Sequence, residues 1–291
     1  MSGYESVFRP DLFAASTILV TGGGTGIGRC TAHELASLGA RVVIAGRRAD
    51  VLEATRDEIR SDGGRCELAV MDVRDSSSVE AVVATLAGDL GRIDGLFNNA
   101  GGQFAAPAEQ ISISAWQKVI DLNLHGTWRV TKAVFELSMK QHGGAVVSML
   151  ADIQTGFVAM AHSSAARAGI ENLTRTLALE WSQYDIRLNC VAPGTILSSG
   201  MATYPEKLQR VAAESARTVP AARLGTVGEV SAAVVFLLSP AAAFITGQTL
   251  AVDGGSSFEK GRIFPVTDHP PMRRWNGFHR DHDWSGTPFE S

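Results

Sequence analysis

Residues 21–28 read TGGGTGIG, with an apolar run before them and a helical pattern after them. Glycine lets a chain turn tightly and lets its backbone approach a phosphate closely. The amides at the start of the following helix would face that negative charge, and a neighbouring threonine adds a hydroxyl donor. The pattern therefore predicts a loop that binds the pyrophosphate of a dinucleotide. The residues of this predicted loop site are Gly22, Thr25, Gly26, Ile27 and Gly28.

Arg47 and Arg48 follow the second apolar run, where dinucleotide-binding proteins contact the adenosine ribose. An acidic residue there would accept hydrogen bonds from the ribose and repel a 2′-phosphate. Guanidinium groups pair well with phosphate, so the sequence predicts NADP(H) as the cofactor. The alternative is that both arginines are solvated surface charges. Asp72 ends the third run and is placed to accept from the adenine amino group, with Val73 beside it.

Short β-branched runs alternate with helical patterns, and they predict the elements that position these residues. The runs are almost continuously apolar, which suits strands buried on both faces of a parallel sheet. The alternation predicts one doubly wound α/β domain of the Rossmann type, with a seven-stranded parallel sheet and helices on both faces. The predicted strands are residues 16–21, 41–46, 66–71, 93–98, 144–149, 186–191 and 248–253. The predicted helices are residues 27–38, 49–61, 77–90, 114–141, 163–183 and 227–238.

Two segments interrupt this alternation. Residues 195–222 form a long insertion between a strand and a helix, and a connection of that length is usually functional. Residues 258–291 follow the last strand and are polar, aromatic and proline-containing, as in a tail that is either docked or flexible. We therefore predict one domain over residues 1–257, followed by this tail.

The composition argues against several classes of protein. The 291 residues carry a formal net charge of −4, unlike the basic surface that binds nucleic acid. Cys30, Cys66 and Cys190 are far apart in the sequence, without the spacing of a disulfide framework or zinc site, and no metal is predicted. No apolar run is long enough to span a membrane, and the ends lack a signal peptide and a Ser-Lys-Leu type of peroxisomal address. We expect a soluble cytoplasmic protein with no membrane or nucleic-acid partner.

Five ordered motifs resemble those of the short-chain dehydrogenase/reductase family, over about residues 14–257. They are TGGGTGIG (21–28), NNAG (98–101), DLNLHG (121–126), APGTI (192–196) and VDGG (252–255). The resemblance implies that the insertion is a substrate lid and that the protein is a homotetramer. It also implies contacts beside the adenine ribose and along the nicotinamide. These further cofactor residues are Asn99, Ala100, Gly101, Pro193, Gly194, Thr195 and Ile196.

The tyrosine, lysine and serine with which this family usually reduces carbonyls are absent. The family's helix, set against residues 166–181, places Ser163 at the tyrosine position and Arg167 at the lysine position. Asn123 alone of the usual set remains. Since the tyrosine protonates a developing alkoxide, its loss implies another kind of reduction. Arg167 can still hydrogen-bond a cofactor ribose.

This departure resembles the trans-2-enoyl-CoA reductases best known from peroxisomes. The segments that carry the resemblance are GGQFAAPAEQIS (101–112), AHSSAARAGIENLTRTLALEW (161–181), LNCVAPGTI (188–196) and LLSPAAAFITGQTLAVDGG (237–255). The resemblance implies NADPH-dependent reduction of the C2=C3 bond of an acyl-CoA or similar thioester. Hydride addition at C3 leaves an enolate whose charge lies on the thioester oxygen, where hydrogen-bond donors can stabilise it. Ser163 would donate to that oxygen with support from Asn123, and His162 would supply a proton if it faces the cleft.

Other interpretations stay open. Ser163 can be a helix N-cap, His162 a structural or exposed histidine, and Arg167 a ligand of the ribose alone. Asn123 can hold a helix irregularity and a water, which is a supporting role. Glu171 has the spacing of an i,i+4 ion pair with Arg175, which we expect in place of a proton-donating role. The alternative functions are another acyl-CoA oxidoreductase, such as a 2,4-dienoyl-CoA or branched acyl-CoA enzyme or a 3-hydroxyacyl/3-ketoacyl dehydrogenase, and a non-catalytic NADP-binding protein.

Overall fold

Seven apolar runs of the chain form one parallel sheet, as predicted. The structure is a computed structural model that describes residues 3–258 and 269–289, without the side chains of Thr203 and Leu208. The four central residues of the strand Arg41–Gly46 are at most 1% exposed, as expected of a strand covered on both faces. The strands of this sheet are β1 (Thr17–Thr21), β2 (Arg41–Gly46), β3 (Arg65–Val70), β4 (Gly95–Asn98), β5 (Gly144–Met149), β6 (Ile186–Pro193) and β9 (Thr249–Val252).

The strand order is β3-β2-β1-β4-β5-β6-β9. The chain reverses direction across the sheet between β3 and β4, so a crevice opens at the carboxyl ends of β1 and β4. Ligands of doubly wound sheets bind at such a switch point. This topology places the glycine loop and the NNAG motif, which follow or end those two strands, at one edge.

Helices cover both faces of the sheet. One core contains side chains of α1, α2 and α9, and the other contains side chains of α3, α5 and α7. The predicted Rossmann-type arrangement is confirmed. The α-helices are α1 (Gly26–Ser37), α2 (Ala49–Ser61), α3 (Ser76–Leu90), α4 (Ile113–Ile120), α5 (Gly126–Val134), α6 (Lys140–His142), α7 (Ala161–Trp181), α8 (Glu206–Ser215) and α9 (Val227–Leu238). None of the helices in the described part of the chain is both long and apolar enough to cross a membrane.

The helix predicted over residues 114–141 is interrupted by two π-helical turns, Asp121–His125 and Phe135–Met139. In the first turn, the buried Asn123 side chain donates to the carbonyl oxygen of Val119 at 2.8 Å. A side chain that bonds the carbonyl four residues earlier competes with the helical ladder at that point. The irregularity expected at Asn123 is therefore present as a π-helical turn, whereas the second turn was not predicted, because apolar periodicity identifies the buried face and gives no information on the backbone ladder.

The insertion (residues 195–222) has regular structure of its own. It contains α8, which was not predicted from the sequence. Its first strand, β7 (Ile196–Leu197), pairs with β8 (Gly225–Thr226), so the two ends of the insertion are held together. Thr226 and Glu229 then form a capping box that begins α9.

Residues 269–289, called the docked tail below, pack against the domain. The Phe278 side chain is 5% exposed and its ring lies 5.2 Å from that of His33 in α1. Arg280 and His279 pair with Asp62, and the Arg280 guanidinium holds the pKa of that carboxyl at about 2, below its usual range. Phe289 is buried beside Leu197 at the base of the insertion. The docked tail thus joins α1 to the insertion.

Candidate active site

The glycine loop has a backbone that only glycine accommodates. Gly22 has a φ of +65°, a conformation that side chains with a Cβ rarely adopt. A Cβ at Gly28 would lie 2.3 Å from the Gly22 carbonyl oxygen and 2.4 Å from Asn99 Nδ2. The first turn of α1 is therefore packed against the loop, and its backbone amides lie at the switch point of the sheet.

Hydrogen bonds fix the loop to the end of β4. Asn99 Nδ2 donates to the carbonyl oxygens of Thr21 and Gly22, each at 3.1 Å. The Thr21 hydroxyl oxygen accepts from the backbone amides of Asn99 and Ala100, each at 3.0 Å. The NNAG motif thus holds the turn in shape.

A cavity of about 180 Å³ opens between the loop and the ends of β2 and β3. Arg47 and Arg48 are exposed at its rim, and neither makes an ion pair within residues 3–258 and 269–289. Asp72 pairs with Arg74, which lowers the pKa of the Asp72 carboxyl to about 2, so it is an anion that can accept hydrogen bonds. The predicted cofactor residues that line this cavity are Gly22, Thr25, Arg47, Arg48, Asp72, Val73, Ala100 and Gly101.

The other predicted cofactor residues lie outside this lining. Ile27 packs against the core, and Gly26 donates its backbone amide to Ser199 Oγ at 3.2 Å. Thr195 and Ile196 line a second cavity, of about 280 Å³, and Gly194 N donates to the Val252 carbonyl oxygen at 3.1 Å. The APGTI segment is therefore fixed to the last strand of the sheet.

Arg167 is buried beneath the NNAG motif. One terminal nitrogen donates to the Met149 carbonyl oxygen, and a Cβ at Gly101 would lie 2.6 Å from the other. Its Nε is buried and has no hydrogen-bond partner within the described residues. Burial lowers the pKa of the guanidinium to about 10, because the charge has lost water without gaining a carboxylate. A buried guanidinium whose Nε has no partner within the described residues fits the ribose hydroxyls of a dinucleotide, and the glycine loop with the first-turn amides of α1 fits its phosphates.

Ser163 lies within the first turn of α7, which begins at Ala161 and has Met160 as its N-cap. The serine is fully buried, and its Oγ donates to Gln103 Oε1 at 2.5 Å. The interpretation of Ser163 as a helix cap is therefore wrong, because its hydroxyl bonds a side chain from the loop after β4. Gln103 was not predicted as a site residue, although it lies within the quoted segment GGQFAAPAEQIS.

His162 is fully buried, and its ring packs edge-on against Phe104 with centroids 4.5 Å apart. Its Nδ1 accepts from the Ser163 backbone amide at 2.7 Å, so a neutral ring carries its hydrogen on Nε2. Nε2 has no partner in the described part of the chain. Because the His162 side chain has no exposed surface, it cannot exchange a proton directly with water. Its burial therefore argues against the predicted transfer of a proton from solvent through His162.

Asn123 anchors the loop that carries Gln103. Its amide nitrogen donates to the Gly102 carbonyl oxygen at 2.8 Å, and its Oδ1 accepts from the Gly102 amide at 3.2 Å. With the bond to Val119, three of its hydrogen-bonding groups serve the backbone. Asn123 thus positions the loop after β4 against the π-helical turn.

Glu171 and Arg175 form the predicted i,i+4 pair at 2.7 Å on the outer side of α7. Glu171 Oε1 also accepts from the Thr249 hydroxyl at 2.9 Å, which links α7 to the last strand. These contacts give the carboxylate a structural role away from Ser163.

One cluster of the described residues has donors close enough to hold a metal ion: His33, Asp62 and His279. Both oxygens of Asp62 already accept from Arg280, and burial lowers the pKa of His33 to about 4. A cation there would face the Arg280 guanidinium, so we assign the cluster to docking of the tail.

Comparison with known proteins decides the family. A family model described as enoyl-(acyl carrier protein) reductase matches residues 22–257. The chain is a short-chain dehydrogenase/reductase. It is therefore an oxidoreductase of a family that uses nicotinamide dinucleotides, and the expected membership is confirmed.

Three similar proteins have different described activities. A probable 2,4-dienoyl-CoA reductase of Bacillus subtilis is 38% identical, over 82% of this chain and 95% of that protein. A citronellol catabolism dehydrogenase of Pseudomonas aeruginosa is 47% identical, with a TM-score of 0.79 over 87% of this chain and 100% of that one. A structure described as a gluconate 5-dehydrogenase of Beutenbergia cavernae, with bound NADP, is 35% identical, with a TM-score of 0.80 over 85% of this chain and 99% of that one.

Proposed function

We propose that this short-chain dehydrogenase/reductase uses NADPH to reduce the C2=C3 bond of a 2-enoyl-CoA thioester. The observation that carries the proposal is the buried Ser163 hydroxyl at the position of the family's usual tyrosine, beside Gln103. A neutral hydroxyl is a good hydrogen-bond donor and a weak acid. It suits a reaction whose negative charge is delocalised better than one that needs a full proton for an alkoxide.

We assign separate roles in cofactor binding and in substrate binding to the residues of the site. Arg47 and Arg48 at the cavity rim would pair with a 2′-phosphate, and Arg167 would donate to the ribose at the other end of the cofactor. A bound nicotinamide supplies the hydride. Ser163 would donate to the thioester oxygen as charge develops there, and Asn123 keeps the loop opposite Ser163 in position. The enolate would then take a proton at C2 from a water molecule, which completes the reduction.

A second candidate is the reduction of a 2,4-dienoyl-CoA, supported by the name of the Bacillus subtilis relative. Hydride addition to a dienoyl thioester also places negative charge on the thioester oxygen. The same serine would serve both reactions, so the shape of the acyl site distinguishes them. The name of the citronellol catabolism relative supports a branched substrate chain as a further variation.

The test is NADPH oxidation, followed by absorbance, with crotonyl-CoA, 2-decenoyl-CoA, 2,4-decadienoyl-CoA and acetoacetyl-CoA. We expect turnover with the enoyl-CoA substrates, slower oxidation of NADH, and none with acetoacetyl-CoA. Turnover with the dienoyl-CoA alone would select the second candidate. Turnover with acetoacetyl-CoA alone would refute both, since it requires a carbonyl acid.

Ser163→Ala should then lower kcat by about 100-fold and change KM by less than about threefold, as expected when one donor to a developing oxyanion is removed. The matched control is Ser164→Ala, since this neighbouring serine is only partly buried. The control should keep the parent's kcat. Equal activity of Ser163→Ala and the parent would remove Ser163 from the reaction.

A further inference from the structure

The hydroxyl of Ser163 has one hydrogen, and that hydrogen points at Gln103 Oε1. While it does so, Ser163 cannot donate to a substrate oxygen. The contact joins two residues that are 60 positions apart in the chain, and the Ser163 side chain is fully buried. The direction of the serine's hydrogen bond therefore depends on Gln103.

A glutamine amide carries an acceptor and a two-hydrogen donor on the same carbon. A half-turn about its last bond would place Nε2 where Oε1 lies now. Nε2 would then donate to Ser163 Oγ, and the serine hydrogen would be free to point at a thioester oxygen. Such a chain of donors is polarised in the direction that stabilises an anion at its end.

Hydrogen bonds hold the backbone next to Gln103 in place. Gly102, the residue before Gln103, is bonded through both its amide and its carbonyl to Asn123. Gln103 itself is only partly buried, so its side chain is not enclosed on every side. The backbone is fixed while the side chain keeps its torsional freedom.

We propose that Gln103 is a positioning residue that turns the Ser163 hydroxyl toward the substrate by donating to its oxygen. The assignment rests on the proposed function, because it needs an oxyanion for Ser163 to stabilise. It gives Gln103 no contact with the reacting atoms.

Gln103→Glu tests this directly. The two side chains have nearly the same shape, but an ionised carboxylate only accepts, so it holds the serine hydrogen permanently. We expect kcat to fall by about 10- to 100-fold at neutral pH with KM changed by less than about threefold. A protonated carboxyl can donate again, so the activity relative to the parent should recover as pH falls and disappear as pH rises. His162 and Arg167, the ionisable neighbours on α7, are present in parent and variant alike.

Two further variants separate this role from a structural one. Gln110→Glu makes the same change of charge at an exposed position in the same loop region, and it should keep the parent's kcat and pH profile. Gln103→Met keeps the length and removes both donor and acceptor. It should lower kcat without the recovery at low pH, and it provides the result if the carboxylate variant does not fold.

The double variant Ser163→Ala/Gln103→Glu completes a double-mutant cycle with the two single variants. If Gln103 acts through Ser163, the double variant should be no slower than Ser163→Ala alone. Additive losses, or a Gln103→Glu enzyme with the parent's kcat and pH profile, would overturn the assignment in an active enzyme. A parent protein that reduces no enoyl-CoA or dienoyl-CoA would instead overturn the proposed function, so the two failures are distinguishable.

Discussion

Two regions of the molecule are held in shape by different kinds of contact: the cofactor loop (residues 21–28) and the Ser163 corner (Gln103, Asn123 and Ser163). The loop is eight consecutive residues whose shape follows from glycine conformations and from contact with the adjacent NNAG turn. The corner joins Ser163 of α7 to Gln103 after β4, and the neighbouring Gly102 is bonded to Asn123 of a π-helical turn. The first site is a local backbone arrangement and the second a tertiary arrangement of side chains. They should therefore respond differently to substitution.

The largest effect is expected for Gly28→Ala in the cofactor loop. The added Cβ would overlap the Gly22 carbonyl oxygen, which is backbone and cannot move without unwinding the turn. We expect NADPH affinity to fall by more than about 100-fold, measured by NADPH fluorescence titration, because the loop amides no longer converge on the phosphates.

Gly88→Ala is the control for that change. No atom lies within 4 Å of a Cβ placed on this glycine of α3, and alanine favours a helix by about 1 kcal/mol. This variant should bind NADPH like the parent and unfold at a slightly higher denaturant concentration. Full NADPH affinity in Gly28→Ala would show that the loop adapts, and the contrast between the two regions would be lost.

An intermediate effect is expected for Arg167→Met beside the Ser163 corner, which should raise the stability of the protein and lower its affinity for NADPH. The folded state lowers the pKa of this guanidinium to about 10 from 12.5, so the protonated form is disfavoured by folding at neutral pH. Removing the charge should raise the free energy of unfolding of the cofactor-free protein by about 1–3 kcal/mol. It should also weaken NADPH binding by about 10- to 100-fold, since the donor to the ribose is lost.

Chemical denaturation and fluorescence titration measure the two changes separately. Arg175→Met, on the same helix but with an exposed side chain, should leave NADPH affinity unchanged. If Arg167→Met were less stable than the parent and bound NADPH equally well, Arg167 would be a packing residue of the corner.

The smallest effect is expected for Glu171→Gln. The carboxylate pairs with Arg175 at the surface of α7 and accepts from Thr249. Exposed ion pairs contribute little, so the free energy of unfolding should change by about 0.5 kcal/mol and kcat should be unchanged. A tenfold loss of kcat in an equally stable variant would make Glu171 the missing acid.

Particular elements show how far local pattern predicts this chain. The strand predicted at residues 144–149 and the helices predicted at 49–61 and 227–238 have the observed bounds. Their apolar runs lie within the elements, and the capping residue of α9 directly precedes it, so the local sequence is sufficient. The helix α8 was missed because the insertion was interpreted by its length and by its resemblance to a lid. An irregularity at Asn123 was predicted, but the π-helical turn at Phe135–Met139 was missed, because apolar periodicity does not report on the backbone ladder.

The sequence by itself determined the parallel sheet, the glycine loop and the arginines at its rim, because apolar periodicity and glycine conformation act over a few residues. Only the tertiary structure decided that Ser163 bonds Gln103, that the Arg167 guanidinium is buried without a carboxylate, and that Phe278 of the docked tail packs on His33. The physical reason is that a hydrogen bond or a buried charge takes its energy from the partner that faces it. In this fold those partners come from segments far apart in the chain.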